Sequence, residues 1–358
     1  MTDLWTPTTV GKMALKHRLA MSAMTRDRAL ADGTPGPSAP LYYSQRASLG
    51  MLITEGAQPS ADGQGYLLTP GIYDDGHVRG WRTVAEAVHD SGGHLVIQLM
   101  HVGRMSHPDN TPHHRQPVAP SAIAPGVQMF TATGMQDIPV PRALTTQEVR
   151  NTIDDFRHAA ARAIEAGADA VEVHGANGYL VHQFLAEGAN TRTDEYGGTV
   201  ANRARFAIDV TTAIADEIGP DRTGLRLSPG AVIGGINEGP TSTETYLHVV
   251  RELGALSPAY LHLMHLGDEA LLREIRQIWP SALLVNRAGR PVNEVSRDID
   301  EGLADVAPVG TWALANPDLP ERLFLGADLN EADRATFYGG GDEGYVTYPT
   351  LIEGPSGI

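Results

Sequence analysis

The sequence predicts a single (β/α)8 barrel occupying all of residues 1–358. Three observations point there. Short apolar runs alternate eight times with longer helix-patterned stretches. The runs are often apolar at consecutive positions, as in parallel strands buried on both faces. No composition shift, long linker or low-complexity tract divides the chain. Length alone would permit two or three average domains, but a barrel routinely uses this much chain as one. Eight alternations favour a closed barrel over an open sheet.

In chain order, strands are expected at residues 18–24, 51–55, 95–100, 170–174, 224–228, 260–264, 283–286 and 305–309. Val149, Ile153, Phe156, Ala160, Ala163 and Ile164 recur at helical spacing and predict a helix over 146–166. Similar patterns mark 200–218, 242–253 and 269–278. The one irregular stretch, about 102–141, is rich in Pro, His and Gly and separates the third strand from the third helix. A loop that long in a compact domain usually serves function, as a lid or part of a pocket. The tail at about 330–358 carries Tyr338-Gly339-Gly340-Gly341 and Tyr345 through Pro349, which is loop chemistry.

Composition narrows the function classes. With 42% hydrophobic and 20% charged residues the chain is ordinary for a globular protein. A formal net charge of −16 argues against nucleic acid or an anionic membrane as partner, since both need clustered Lys and Arg. It leaves room for one phosphate group, which needs only a few local donors. The absence of cysteine excludes disulfides, thiolate nucleophiles, Cys-ligated zinc and iron–sulfur clusters. Met1 to Gly11 is polar and shows no secretory signal, and no run approaches the roughly 18 apolar residues of a membrane span. A cytoplasmic protein is the expectation.

A barrel places chemistry where strands end and βα loops begin. The polar residues there are Thr25, Glu55, Gln98, His101, His174, Asn177, Tyr179, Arg226, His262, Asn286 and Arg287. They come from seven strands and are expected to converge on one mouth. A bound phosphate should sit near the loops after strands seven and eight. The densest segment, His174-Gly175-Ala176-Asn177-Gly178-Tyr179, follows the fourth strand directly. His174 and Asn177, three apart, can point the same way in a tight turn, and two donors aimed at one point would polarise a carbonyl. Tyr179 adds a phenol able to supply a proton. Alone, the pattern suits a structural histidine beside turn-forming Asn and Gly better.

Taken with Asn190-Thr191-Arg192-Thr193-Asp194-Glu195-Tyr196-Gly197-Gly198, the segment resembles the central signature of the Old Yellow Enzyme family. Ala23-Met24-Thr25-Arg26 resembles the family's first-strand end, and Val96 through Arg104, with Gln98 and His101, its third. Phe337 through Gly341 with Gly344-Tyr345 resembles the tail, and Arg226 and Asn316-Pro317-Asp318 also fit. The likeness runs over nearly the whole chain in the family's order.

The resemblance implies an FMN over the barrel mouth and NAD(P)H as co-substrate. It assigns cofactor contacts to Ala23, Met24, Thr25, Gly56, Gln98, Arg226, Asn286, Arg287, Gly310 and Thr311. Thr25 would bond the flavin carbonyl nearest N5, Gln98 the pyrimidine edge, and Arg226 would stand by N1. His174 and Asn177 would hold the substrate carbonyl, Tyr179 would protonate the α-carbon, and Met100 and Tyr338 would line the pocket. The implied activity is reduction of activated C=C bonds in enones, nitroalkenes or maleimides.

Two departures from the family stand out. Met100 replaces the usual aromatic residue, which predicts a roomier, more adaptable wall. At the phosphate end, strand seven reads Asn286-Arg287-Ala288-Gly289-Arg290, and Thr311 follows Gly310 where relatives carry arginine. A phosphate without that guanidinium loses a charge-assisted contact, and Arg287 is the expected replacement, with Arg290 less well placed. His101, His107, His113 and His114 lack carboxylates at ligand spacing, so no metal is expected. No P-loop, nucleophile elbow or Rossmann glycine fingerprint occurs, so NAD(P)H is expected to bind transiently over the flavin. Two alternatives stay open on sequence. One is a redox-neutral isomerase or cyclase on the same barrel, with FMN absent or structural; the other is a non-catalytic small-ligand binder.

Overall fold

The computed structural model describes residues 3–352. Met1, Thr2 and the last six positions of the expected tail lie outside the described residues. All eight expected runs form strands of one parallel sheet: β1 Leu19–Met21, β2 Leu52–Ala57, β3 Leu95–Leu99, β4 Ala170–Gly175, β5 Thr223–Leu227, β6 Tyr260–Met264, β7 Ala282–Asn286 and β8 Ala307–Val309. They pair in sequence order, β8 returns to β1, and a bridge between Leu284 and Val306 closes the ring. Around them run α1 Ala39–Ser44, α2 Asp75–Asp90, α3 Thr146–Glu165, α4 Val200–Ile218, α5 Ser242–Gly254, α6 Glu269–Ile278, α7 Arg297–Asp300 and α8 Leu319–Leu325. No helix among the described residues is long and apolar enough to cross a membrane.

Local chemistry fixes these elements. Helix α3 starts at a capping box in which Thr145 accepts from the Glu148 amide and Glu148 returns the bond to the Thr145 amide; such caps contribute about 1 kcal/mol. Its Val149, Phe156, Ala160 and Ala163 are buried, so the face read from spacing is the face that packs. A second apolar layer joins Ile53, Val96, Ala170, Tyr260 and Leu284 to Val10, Met13 and Leu15 of an N-terminal hairpin, Thr8–Val10 with Met13–Leu15.

Three features depart most from expectation. The first strand ends at Met21, not residue 24, because the chain then crosses the barrel mouth. There the amides of Arg26 and Asp27 turn to the Glu55 carboxyl, at 2.9 and 3.3 Å. Strand β8 starts at Ala307, since the Asp305 carboxylate leaves the ladder to bind Arg276 and the Leu283 amide. The stretch at 102–141 contains an antiparallel hairpin, Gln128–Thr131 with Gly134–Asp137. Four-residue strands are too short to register as periodicity among prolines and glycines.

Register matters most for function. Glu172 stands level with Gln98, His174 with Arg226, and Arg226 with His262. Side chains from four neighbouring strands thereby meet in one layer under the mouth.

Candidate active site

Two cavities, of about 270 and 580 Å³, open at the C-terminal ends of the strands. Ala23, Met24, Asn177, Arg226 and Thr311 line both, so they form one continuous cleft. The smaller part is also lined by Thr25, Gln98, Met100, His174, Tyr179 and Tyr338. The larger runs out to β7 and β8 and is lined by Asn286, Arg287 and Gly310.

Of the expected site residues only Gly56 lines neither part. A Cβ there would lie 2.6 Å from the Met100 sulfur, so this glycine makes room for Met100. Met100 is buried against Val102, Met105, Tyr66 and Tyr179. Among the other strand-end polar residues, Glu55, His101 and His262 also turn away. Glu55 serves the amides after β1, His101 Nδ1 accepts the Gly103 amide at 3.1 Å, and His262 binds Glu172.

The turn after β4 is fixed from beneath. Asn177 takes a left-handed conformation, φ 57°, which Asn tolerates better than most residues. Its amide donates to Ser228 Oγ at 2.9 Å, and the next amide, Gly178, donates to His182 Nδ1 at 3.0 Å. His182 Nε2 is 2.9 Å from Glu238, which also accepts from Tyr246 and Ser242. The Asn177 Oδ1 atom is buried without a hydrogen-bond partner.

Protonation follows from these contacts. Burial, reinforced by the Arg226 charge, drives the His174 pKa well below its ordinary value, so the ring is neutral. His174 Nδ1 accepts the Ala176 amide at 3.3 Å, which leaves the proton on Nε2. Tyr179 shares a 2.9 Å hydrogen bond with Tyr66. Burial and the Tyr66 phenol raise its pKa well above normal, so it stays protonated. The pocket thus presents neutral donors.

Beneath lies a charged layer. Gln98 Nε2 donates to Glu172 Oε1 at 2.7 Å, which turns the Gln98 carbonyl away from that carboxylate. His262 Nδ1 lies 2.8 Å from Glu172 Oε2. Burial works against the Glu172 charge, but His262, Arg226 and Gln98 outweigh it and hold its pKa low. Burial also lowers the Arg226 pKa, yet a guanidinium stays protonated.

Comparison with known proteins identifies the family. The sequence profile of the NADH:flavin oxidoreductase / NADH oxidase family matches residues 3–330. The chain is 38% identical to 12-oxophytodienoate reductase 2 of Arabidopsis thaliana, over 97% of this chain and 96% of that one. It is likewise 38% identical to a probable flavin mononucleotide-dependent alkene reductase of Leishmania infantum, over 96% of each. The structure of morphinone reductase in complex with tetrahydroNAD superposes with a TM-score of 0.94, at 41% identity and 99% coverage of both chains. The chain belongs to this family. It is an Old Yellow Enzyme-type oxidoreductase with FMN as cofactor and NAD(P)H as co-substrate.

The cleft suits the family's flavin. Arg226 Nε is buried without a partner on a wall shared by both parts, where a cation would face an electron-rich ring edge. Thr25 and the Gln98 carbonyl supply polar atoms to the same part. The larger part leads from there to β7 and β8, where a barrel holds phosphate.

At that end Arg287, the expected replacement for the missing guanidinium, is already paired. Arg287 lines the cleft, but Nε and Nη2 donate to Asp298 at 2.8 and 2.7 Å, and Nη1 and Nη2 also bind Glu269. Burial opposes its charge, and the two carboxylates outweigh burial. Arg290 donates to the same Asp298 at 2.8 Å. The neutralising carboxylates sit on other elements, so no local motif announces them.

Sequence reasoning also missed Tyr66, Leu314, Phe337, Trp312, Asp298 and Arg334, which line the cleft or bond to a residue that does. Tyr66, after Gly63-Gln64-Gly65, has the best signal, an aromatic in a glycine-broken loop after β2. The others sit on helices or in the tail, where nothing local marks them.

Proposed function

We propose that the inner part of the cleft holds the flavin ring between Thr25, Gln98 and Arg226, and that His174, Asn177 and Tyr179 reduce the bound substrate with it. Ala23 and Met24 flank the ring, and Asn286, Gly310 and Thr311 border the path to the phosphate. The substrate is an activated alkene: an enone, nitroalkene or maleimide. Bound FMN supplies hydride to the β-carbon and is recharged by NAD(P)H.

The chain's own residues do the rest. His174 Nε2–H and the Asn177 amide donate to the oxygen that gains negative charge, and such donors act strongly in a site shielded from water. Both are neutral, so the electron-withdrawing group is bound without a formal ion pair. Tyr179 holds its proton at neutral pH and gives it to the α-carbon, while Tyr66 fixes its phenol. Met100 and Tyr338 form the apolar wall and the outer rim. The observation that carries this reading is the convergence of a histidine protonated at Nε2, the Asn177 side chain and a protonated phenol on one cavity. No observation favours the isomerase or the simple binder.

The test separates the half-reactions. In holoenzyme, NADPH should bleach the flavin absorbance and 2-cyclohexenone should restore it. Tyr179→Phe should leave the first step near wild type and slow the second. Equal slowing of both would remove Tyr179 from the proton-transfer role.

A further inference from the structure

Four arginines line the cleft: Arg226 at the inner end, and Arg287, Arg290 and Arg334 at the outer end. Arg287 and Arg290 share Asp298, and Arg287 binds Glu269 as well. Two cations against two carboxylates leave that cluster with no net charge. Asp298 itself lines the cleft, so an incoming phosphate also meets a carboxylate there. Arg334 differs. Its side chain forms no hydrogen bond, ion pair or ring contact among the described residues.

The segment bearing Arg334 is nonetheless held in place. It is a short 3-10 turn, Arg334–Thr336, capped by Asp333, whose side chain accepts the Ala335 amide. The carbonyls of Thr336 and Phe337 accept from the Arg26 guanidinium at 3.2 and 3.0 Å, and Thr336 accepts again from Arg28 at 2.9 Å. Arg26 is fully buried between Tyr42 and the tail. The tail is thus fastened to the loop after β1, and that fastening presents Arg334 to the cleft.

We infer that Arg334, reaching in from the C-terminal segment, is the residue that recognises the FMN phosphate, replacing the guanidinium that Thr311 lacks. The inference rests on the reading of the cleft as the flavin site. A guanidinium with no partner among the described residues, on a fixed backbone, can meet two phosphate oxygens. The Arg287–Asp298–Arg290 cluster shapes the wall but adds little net attraction. Phosphate recognition is therefore tied to docking of the tail, which also supplies Tyr338 to the substrate rim.

The experiment uses apoprotein and two probes, FMN and riboflavin, which differ only in the phosphate. Dissociation constants come from quenching of flavin fluorescence at low and high salt. Wild type should prefer FMN, and Arg334→Ala should cut that preference roughly tenfold to a hundredfold, the range of one charge-assisted hydrogen bond or bidentate pair. Riboflavin affinity should stay within about threefold, and Arg334→Lys should recover part of the preference and its salt dependence. An unchanged FMN-to-riboflavin ratio in Arg334→Ala overturns the inference, as does a collapse of that ratio in the double variant Arg287→Ala/Glu269→Ala, which keeps the cluster neutral by leaving Arg290 on Asp298. If wild type bound neither flavin, the site reading itself would fail, and the two failures are distinct. Circular dichroism of each variant confirms that the fold is kept.

Discussion

The two ends of the cleft are built on opposite plans. At the end of β4, every group that must be aimed is tied from below: Asn177 by Ser228, the next amide by His182, His182 by Glu238, and Tyr179 by Tyr66. The donors left over face the cavity, and all are neutral. At the ends of β7 and β8 the groups are charged, and they are satisfied by one another instead of being left for a ligand. The first end has surplus donors held rigidly. The second has matched charges, with its surplus cation in a segment from the far end of the chain. An arginine on a cavity wall is therefore not evidence of anion binding until its carboxylate partners are counted.

The largest effect should come from breaking the rigid end. Tyr179→Phe should slow reoxidation by an enone by roughly 10²–10⁴, the usual contribution of a positioned proton donor, as followed by stopped-flow flavin absorbance. A change confined to the NAD(P)H step would mean that the two ends of the cleft were assigned wrongly.

Next is the charged layer that both ends share. Glu172→Ala removes the buried carboxylate that His262 and Gln98 bond and whose charge favours the Arg226 cation, and should cost about 3–5 kcal/mol, measured by urea unfolding. A loss under about 1 kcal/mol would show that Arg226 finds compensation elsewhere.

A smaller effect depends on pH. His101, whose carbonyl accepts the Leu180 amide at the start of the helix after the β4 turn, has its pKa lowered to about 4 by burial. The unfolded chain takes up this proton near pH 6.5 and the folded one only near 4. Stability from this group is complete above about 6.5 and is lost as pH falls towards 4, by at most about 3 kcal/mol. Unfolding free energies at pH 7.5 and 4.5 should differ less in His101→Gln than in wild type. An identical pH slope would remove His101 as a source of acid sensitivity.

The smallest effect sharpens the contrast at the other end. The double variant Arg287→Ala/Glu269→Ala, which removes the guanidinium together with one of its carboxylates and leaves Arg290 on Asp298, should change the FMN-to-riboflavin affinity ratio by less than about threefold, because the net charge of the cluster is unchanged. A tenfold fall would show that the carboxylates release Arg287 when phosphate arrives.

Much of the molecule was legible in the sequence. Eight apolar runs became eight barrel strands, because a strand buried on both faces needs consecutive apolar residues and little else supplies them. The donors after β4 were legible because they lie within six consecutive residues, so local spacing carries their relation. The short hairpin at Gln128–Asp137 was not, since its strands are brief and partly exposed. Gly56 was read as a cofactor contact; it lines neither part of the cleft and packs against Met100, just past the end of the next strand.

By itself, then, the sequence determined the barrel, the cleft at the C-terminal ends of its strands, and the convergence of His174, Asn177 and Tyr179 on that cleft. Only the tertiary structure decided which charges are free. Arg287 looks available in the sequence because Asp298 and Glu269 are 11 and 18 residues away on other elements. Arg334 looks remote because it stands near the end of the chain. Charge pairing depends on distance through space, and folding sets that distance without leaving a local trace in the order of residues.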